Sequence, residues 1–170
     1  MILNRIVYRS LALVCFALLG YACQPATSIE EAGEITRLDR PDASILRGVH
    51  VPAGKSYFYT SGLVAPVLNA EAEPGSPERY GDTYTQSIGI LKRIQETLAE
   101  EDYSLEDVIF LRVYMAPDAD GEIDWQAWFK AYGEFFNNTE NPNKVARSTV
   151  GVYALANPDL RIEIEAVAAK

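Results

Sequence analysis

From residue 81 onward, the spacing of apolar residues switches between two periods, and each switch marks an element. Ile88, Ile90, Leu91, Ile94 and Leu98 recur every three or four positions between Gly81 and Glu101, with Glu96, Glu100 and Glu101 on the other side. That pattern predicts an amphipathic helix, with Asp82 or Thr83 as its N-cap. AspValIlePheLeuArgValTyrMet (107 to 115) predicts a strand, and 124 to 136 a second amphipathic helix. Residues 145 to 155 and 160 to 168 alternate at period two on either side of the AlaAsnProAsp loop at 156 to 159, which predicts two more strands. Upstream, 44 to 51 and 55 to 62 predict a pair of strands around a ProAlaGly turn, and a loop rich in Pro, Gly and acidic residues follows from about 65 to 80. The order β-β-α-β-α-β-β predicts an α+β domain with both helices on one face of a mixed sheet.

The start of the chain has neither period. Arg5 and Arg9 precede an apolar run at 11 to 19 that ends in GlyTyrAlaCys at Cys23. This is the order of a bacterial export signal, and its apolar run falls short of the roughly 20 residues a membrane-spanning helix needs. The terminal cysteine resembles a lipobox, although Gly20 and Tyr21 replace the usual residues; lipidation of Cys23 is expected, with ordinary cleavage or an uncleaved anchor as the other outcomes. Residues 24 to 43 are polar and acidic and are read as a tether. The expected organisation is therefore signal 1–22, tether 23–43 and domain 44–170, exported to the periplasm and held at a membrane only through the lipid.

Charge and cysteine content narrow the function. The signal holds two of the 15 basic residues and none of the 24 acidic ones, so the remainder carries a net charge of −11. Such a surface repels phosphate backbones and argues against a nucleic-acid partner. The two cysteines, Cys15 and Cys23, both belong to the signal region, so neither a thiol nor a disulfide is expected in the domain. His50 is the only histidine, which argues against His-dependent hydrolysis and against histidine metal sites.

The candidate chemistry lies in the last two strands. Arg147, Thr149, Gly151 and Tyr153 share one strand face, and Arg161, Glu163 and Glu165 share another, so a guanidinium and a carboxylate are expected to converge. A strand-held arginine can receive a substrate carboxylate through two parallel bonds, and a glutamate can move protons for water. The competing reading is a structural ion pair of Arg147 with Glu163 or Glu165. Glu165, about 6.6 Å along the same face, is the rival carboxylate. Ser61 is either a turn residue or a pocket wall. Trp125, Trp128, Phe129, Tyr132, Phe135 and Phe136, at helical spacing, read as core or subunit interface. The sheet face carrying Val150 and Val152 has nothing in the chain to cover it, which favours oligomerisation.

TyrThrSerGly at 59 to 62, TyrGlyAsp and ThrGln around 80 to 86, the 107 to 115 strand, TyrGlyGluPhePhe at 132 to 136, AlaArgSerThrVal at 146 to 150 and IleGluIleGluAlaValAla at 162 to 168 occur in one order. In that order they resemble the Rid family, the reactive intermediate deaminases also called YjgF or RidA. The resemblance implies a chorismate-mutase-like fold and a homotrimer with pockets at its subunit interfaces. It also implies hydrolysis of amino-acid enamines and imines, such as 2-aminoacrylate, to 2-keto acids and ammonia, with no metal or organic cofactor. The family's carboxylate-binding arginine falls on Arg147, its water-positioning glutamate on Glu163, its Ser-Gly corner on Ser61 and Gly62, and another pocket residue on Thr149. Two positions depart: Ile45 or Leu46 stands where a tyrosine is usual, and Phe129 where an asparagine is frequent. Both changes imply a more apolar pocket and larger apolar side chains on the substrate. The alternative is a non-catalytic small-carboxylate-binding or chaperone-like module of the envelope. A ribonuclease role is disfavoured by the charge and by the absence of a basic aromatic patch.

Overall fold

The computed structural model describes residues 33–170. The expected signal, Cys23 and the first part of the tether lie outside the described residues. Strand β1 (Thr36–Leu38) pairs antiparallel with β2 (Gly48–His50). The main sheet holds β3 (Tyr57–Tyr59), β4 (Leu63–Val64), β5 (Val108–Met115), β6 (Ala146–Gly151) and β7 (Ile162–Ala169). Its order is β3-β7-β5-β6, with β4 sharing the β7 edge beside β3; only β5 and β6 run parallel. Helices α2 (Thr83–Ala99) and α3 (Trp125–Phe135) are the two long helices, and α1 (Pro77–Tyr80) is a single turn within the expected loop.

Each long helix starts where its cap residue stands. The Asp82 carboxylate accepts the Thr85 N–H at 2.8 Å, and the Asp124 carboxylate accepts that of Ala127 at 2.9 Å. These bonds satisfy donors that a helix start otherwise leaves free. The α2 stripe Ile90, Leu91, Ile94 and Leu98 is fully buried against Leu111, Val113 and Met115 of β5 and Ile162 and Ile164 of β7, in one core. Each such side chain stabilises the fold by about 1.5–3 kcal/mol of burial. Gln86 is the polar member of that layer: its amide donates to the carbonyls of Gly81 and Asp159 and accepts the Arg161 N–H at 2.7 Å, which ties α2 to the approach to β7.

Two departures from the expected layout have clear physical causes. Residues 36–38 fall in the range assigned to the tether, yet they form β1. The Arg37 guanidinium donates to the carbonyls of Glu106, Val108 and Lys144 at 2.7–2.9 Å, so one charged side chain anchors an otherwise polar stretch to the ends of the sheet. The last two strands are also displaced: β6 stops at Gly151, leaving Tyr153 outside the sheet and 98% exposed, and β7 begins after Arg161. Gly151 ends β6 where a side chain would collide with Ile123, its Cβ position lying 2.9 Å from Cδ1.

Candidate active site

The register through β5 decides which residues can meet. Leu111 pairs with Arg147 on one side and Ala166 on the other, whereas Tyr114 pairs with Val150 and Glu163. Directly paired residues project to the same face, and the face alternates along each strand. Arg147 and Thr149 therefore lie on the helix-covered face with Leu111 and Val113, and Glu163 and Glu165 lie on the open face. The expected convergence of Arg147 with Glu163 does not occur within one chain. Two side-chain groups form instead, on opposite sides of the sheet.

The first group sits where α3 crosses edge strand β6. Arg147 Cζ lies 4.4 Å from the Tyr132 ring centre, 5.3 Å from Phe129 and 5.4 Å from Trp128. Trp128 meets Tyr132 edge-on and Tyr132 stacks on Phe136 through the core, with ring centres 5.9 and 5.3 Å apart. The aromatic faces attract the guanidinium, but no carboxylate neutralises it: the salt bridges among the described residues join Arg112 to Glu165 and Lys144 to Asp39. The ion pair weighed for Arg147 is thus not formed. Burial holds its pKa below the ordinary arginine value, opposed in part by Tyr132, whose own pKa burial raises. One guanidinium nitrogen, Nη1, and the Thr149 hydroxyl are sealed from solvent without hydrogen-bond partners. A desolvated cation with unused donors is a receptor for a small anion.

The second group is on the open face. Gly62 packs so closely on Glu163 that a Cβ there would lie 1.8 Å from Oε1. Val64 pairs with Glu163 in register, and the turn is pinned by Thr60, whose Oγ1 accepts the Ala166 N–H at 2.9 Å. Ser61 is exposed beside Gly62. The two carboxylates separate in role here. Glu165 is held by Arg112 at 2.5 Å and accepts the Tyr114 hydroxyl at 3.3 Å, while the Glu163 carboxylate takes part in no hydrogen bond or salt bridge among the described residues. Glu163, Glu165 and Tyr114 line a hollow of about 330 Å³ with Val152 and Ala154–Ala156 of the loop after β6. Among the described residues no His, Cys, Asp and Glu cluster is arranged to hold a metal ion.

A family model described as Endoribonuclease L-PSP matches residues 49–170. YyfB from Yersinia pestis, a protein of unknown function of the conserved Rid family, is 26% identical to this chain with a TM-score of 0.62, covering 80% of it and 98% of its own length. The chain belongs to the Rid family. Other likenesses agree with that assignment in fold. A Pseudomonas aeruginosa protein of unknown function is 25% identical, with a TM-score of 0.54 over 79% of this chain and 92% of its own. A yeast protein, 21% identical with a TM-score of 0.50, covers 81% of this chain and 99% of itself. A comparison with curated proteins returns no match. The mixed sheet with two helices on one face is the architecture of this Rid protein, as expected.

The structure places Ser61 and Gly62 with Glu163, and Phe129 and Thr149 with Arg147. The Ile45–Leu46 segment passes nearby, with the Leu46 N–H donating to Val145 at 3.0 Å. Trp128 and Tyr132 were expected only as core or interface, yet they wall the guanidinium. One signal was available: Val145, Arg147 and Thr149 alternate on a strand whose first member is plainly apolar, so the arginine had to share the face that an aromatic helix covers.

Proposed function

We propose that this Rid protein hydrolyses enamine and imine intermediates of amino acids to 2-keto acids and ammonia, as a homotrimer of the cell envelope. The observation that carries the reading is Arg147: a half-buried guanidinium between three rings, with no anion of its own chain. A substrate carboxylate is the group its fork fits, bound bidentately. Glu163 is the unengaged carboxylate that would act on water, but it lies two strands away, about 9.6 Å of sheet, and on the opposite face. A second copy must bring its open face to the Arg147 edge, and the exposed Val150 beside half-buried Phe110 and Tyr114 gives it a surface to cover.

In such a pocket Arg147 fixes the carboxylate and thereby the C=N carbon. Glu163 of the neighbouring copy takes a proton from water as the water oxygen bonds to that carbon and hands it to nitrogen, giving a carbinolamine; it then moves the hydroxyl proton to nitrogen as the carbonyl forms, the C–N bond breaks and ammonia leaves. Water is consumed, no redox change occurs, and the products are the 2-keto acid and ammonia. Phe129, 41% exposed beside Arg147, favours imines with larger apolar side chains. The envelope location rests on the order of residues 1–23. The family model's description names an endoribonuclease; the net charge of −11 on the residues that follow the expected signal opposes that chemistry.

The test supplies imines generated by an amino-acid oxidase and measures keto-acid release with and without the protein. Release above background that disappears in Arg147→Ala is expected. Tight binding of 2-ketobutyrate with no acceleration would instead favour the small-carboxylate-binding module.

A further inference from the structure

Three buried side-chain polar atoms lack a hydrogen-bond partner among the described residues: Arg147 Nη1, Thr149 Oγ1 and Trp128 Nε1. All belong to one patch, because Arg147 and Thr149 are two apart on β6 and the Trp128 ring lies 5.4 Å from Arg147 Cζ. Trp128 is fully buried in an otherwise apolar layer, and its indole nitrogen can only donate. Leaving such a donor unbonded is unfavourable, and a phenylalanine would occupy the same layer without an unbonded donor. A buried, unbonded donor next to an unpaired guanidinium calls for an acceptor that reaches both.

We propose that Trp128 is a substrate-positioning residue whose indole N–H donates to the same carboxylate that Arg147 binds. The inference deepens the proposed function and rests on it for the class of ligand, a 2-keto or 2-imino acid. Arginine alone lets a carboxylate pivot in the plane of its fork. A third donor from α3 removes that freedom and sets the direction in which the 2-carbon points, which is the geometry a water held by Glu163 requires. The Phe129 ring, outermost of the three around Arg147, is the wall that must turn aside for the ligand to reach these sealed donors.

The experiment uses the full chain. It has two tryptophans, so isotope-labelled protein gives two indole N–H signals by NMR, assigned with a Trp125→Phe variant. On titration with 2-ketobutyrate, the Trp128 signal is expected to move downfield and saturate at the midpoint of the calorimetric binding curve. Trp128→Phe is expected to bind about ten-fold more weakly, the size of one bond to a charged acceptor. A Trp128 signal that stays fixed while the heat of binding saturates would overturn the proposal and assign the donor to an internal water, as would unchanged affinity in a folded Trp128→Phe. Absence of any 2-ketobutyrate binding would overturn it too. If Trp128→Phe fails to fold, the wild-type titration decides alone. Binding and signal movement without imine turnover would sink the deaminase reading and leave this inference standing.

Discussion

Substituting Gly62 by alanine should abolish the proposed imine hydrolysis while sparing the fold. The new Cβ would stand 1.8 Å from Glu163 Oε1 and 2.8 Å from Cδ, so the oxygen must retreat by at least 1.2 Å to reach even a tight 3.0 Å contact. The displaced atoms are the end of a flexible side chain, and Gly62 lies outside the left-handed region, so alanine is sterically allowed there. Alanine also lowers the entropy of the unfolded chain, which favours the native state by about 0.4–1 kcal/mol. That gain roughly offsets a Glu163 rotamer forced from its minimum, at about 0.5–1.5 kcal/mol. The melting temperature should therefore change by only a few degrees. Catalysis has no such compensation, because a misplacement of about 1 Å costs about 100-fold in rate, or ~2.7 kcal/mol of transition-state stabilisation. The assay is keto-acid release from an oxidase-generated imine, run on wild type, Gly62→Ala, Glu163→Ala and the double variant. If Gly62 acts only by placing Glu163, the double variant is no slower than Glu163→Ala. Full activity in a folded Gly62→Ala would refute the positioning argument, and so would independent losses that multiply in the double variant.

Arg147→Lys should retain at most a few per cent of wild-type turnover, since an ammonium on a flexible stem cannot reproduce the fork; near-normal rates in steady-state assays would count against bidentate binding. Light scattering should return three times the chain mass, whereas a monomer would leave Arg147 and Glu163 apart and remove the mechanism. Tyr132 has a pKa raised by burial, so its contribution to stability is fully present below the unfolded value near 10 and is lost as pH rises through the folded value. Denaturant melts should show wild type more stable than Tyr132→Phe by about 1–2 kcal/mol at neutral pH, from the hydroxyl's bonds to Ser44 and Val145, and that gap should close in alkali; a gap constant to high pH would contradict the assignment. Cys23→Ser should release the protein from the membrane fraction, and equal retention would exclude lipidation as the anchor.

Local chemistry was enough to locate most elements. The α2 and α3 stripes, with Asp82 and Asp124 ahead of them, are patterns of neighbouring residues, and helices answer to neighbours. Segments 107–115 and 160–168 read as strands for the same reason, and AlaArgSerThrVal with IleGluIleGlu singled out Arg147 and Glu163 as candidates. Which face each of them occupies was not legible, because a strand's face depends on its register with a partner far away in the chain. Arg147 and Glu163 are both aligned by β5, and an offset of one residue in either pairing would have put the two on the same side. The same holds for β1, where the deciding partners of Arg37 are carbonyls some seventy to a hundred residues away. Tertiary structure adds a physical difference between Glu163 and Glu165, since Arg112 and Tyr114 reach across from β5 to Glu165 and not to Glu163. Sequence settles what each residue can do; the pairing of distant strands settles what it can touch.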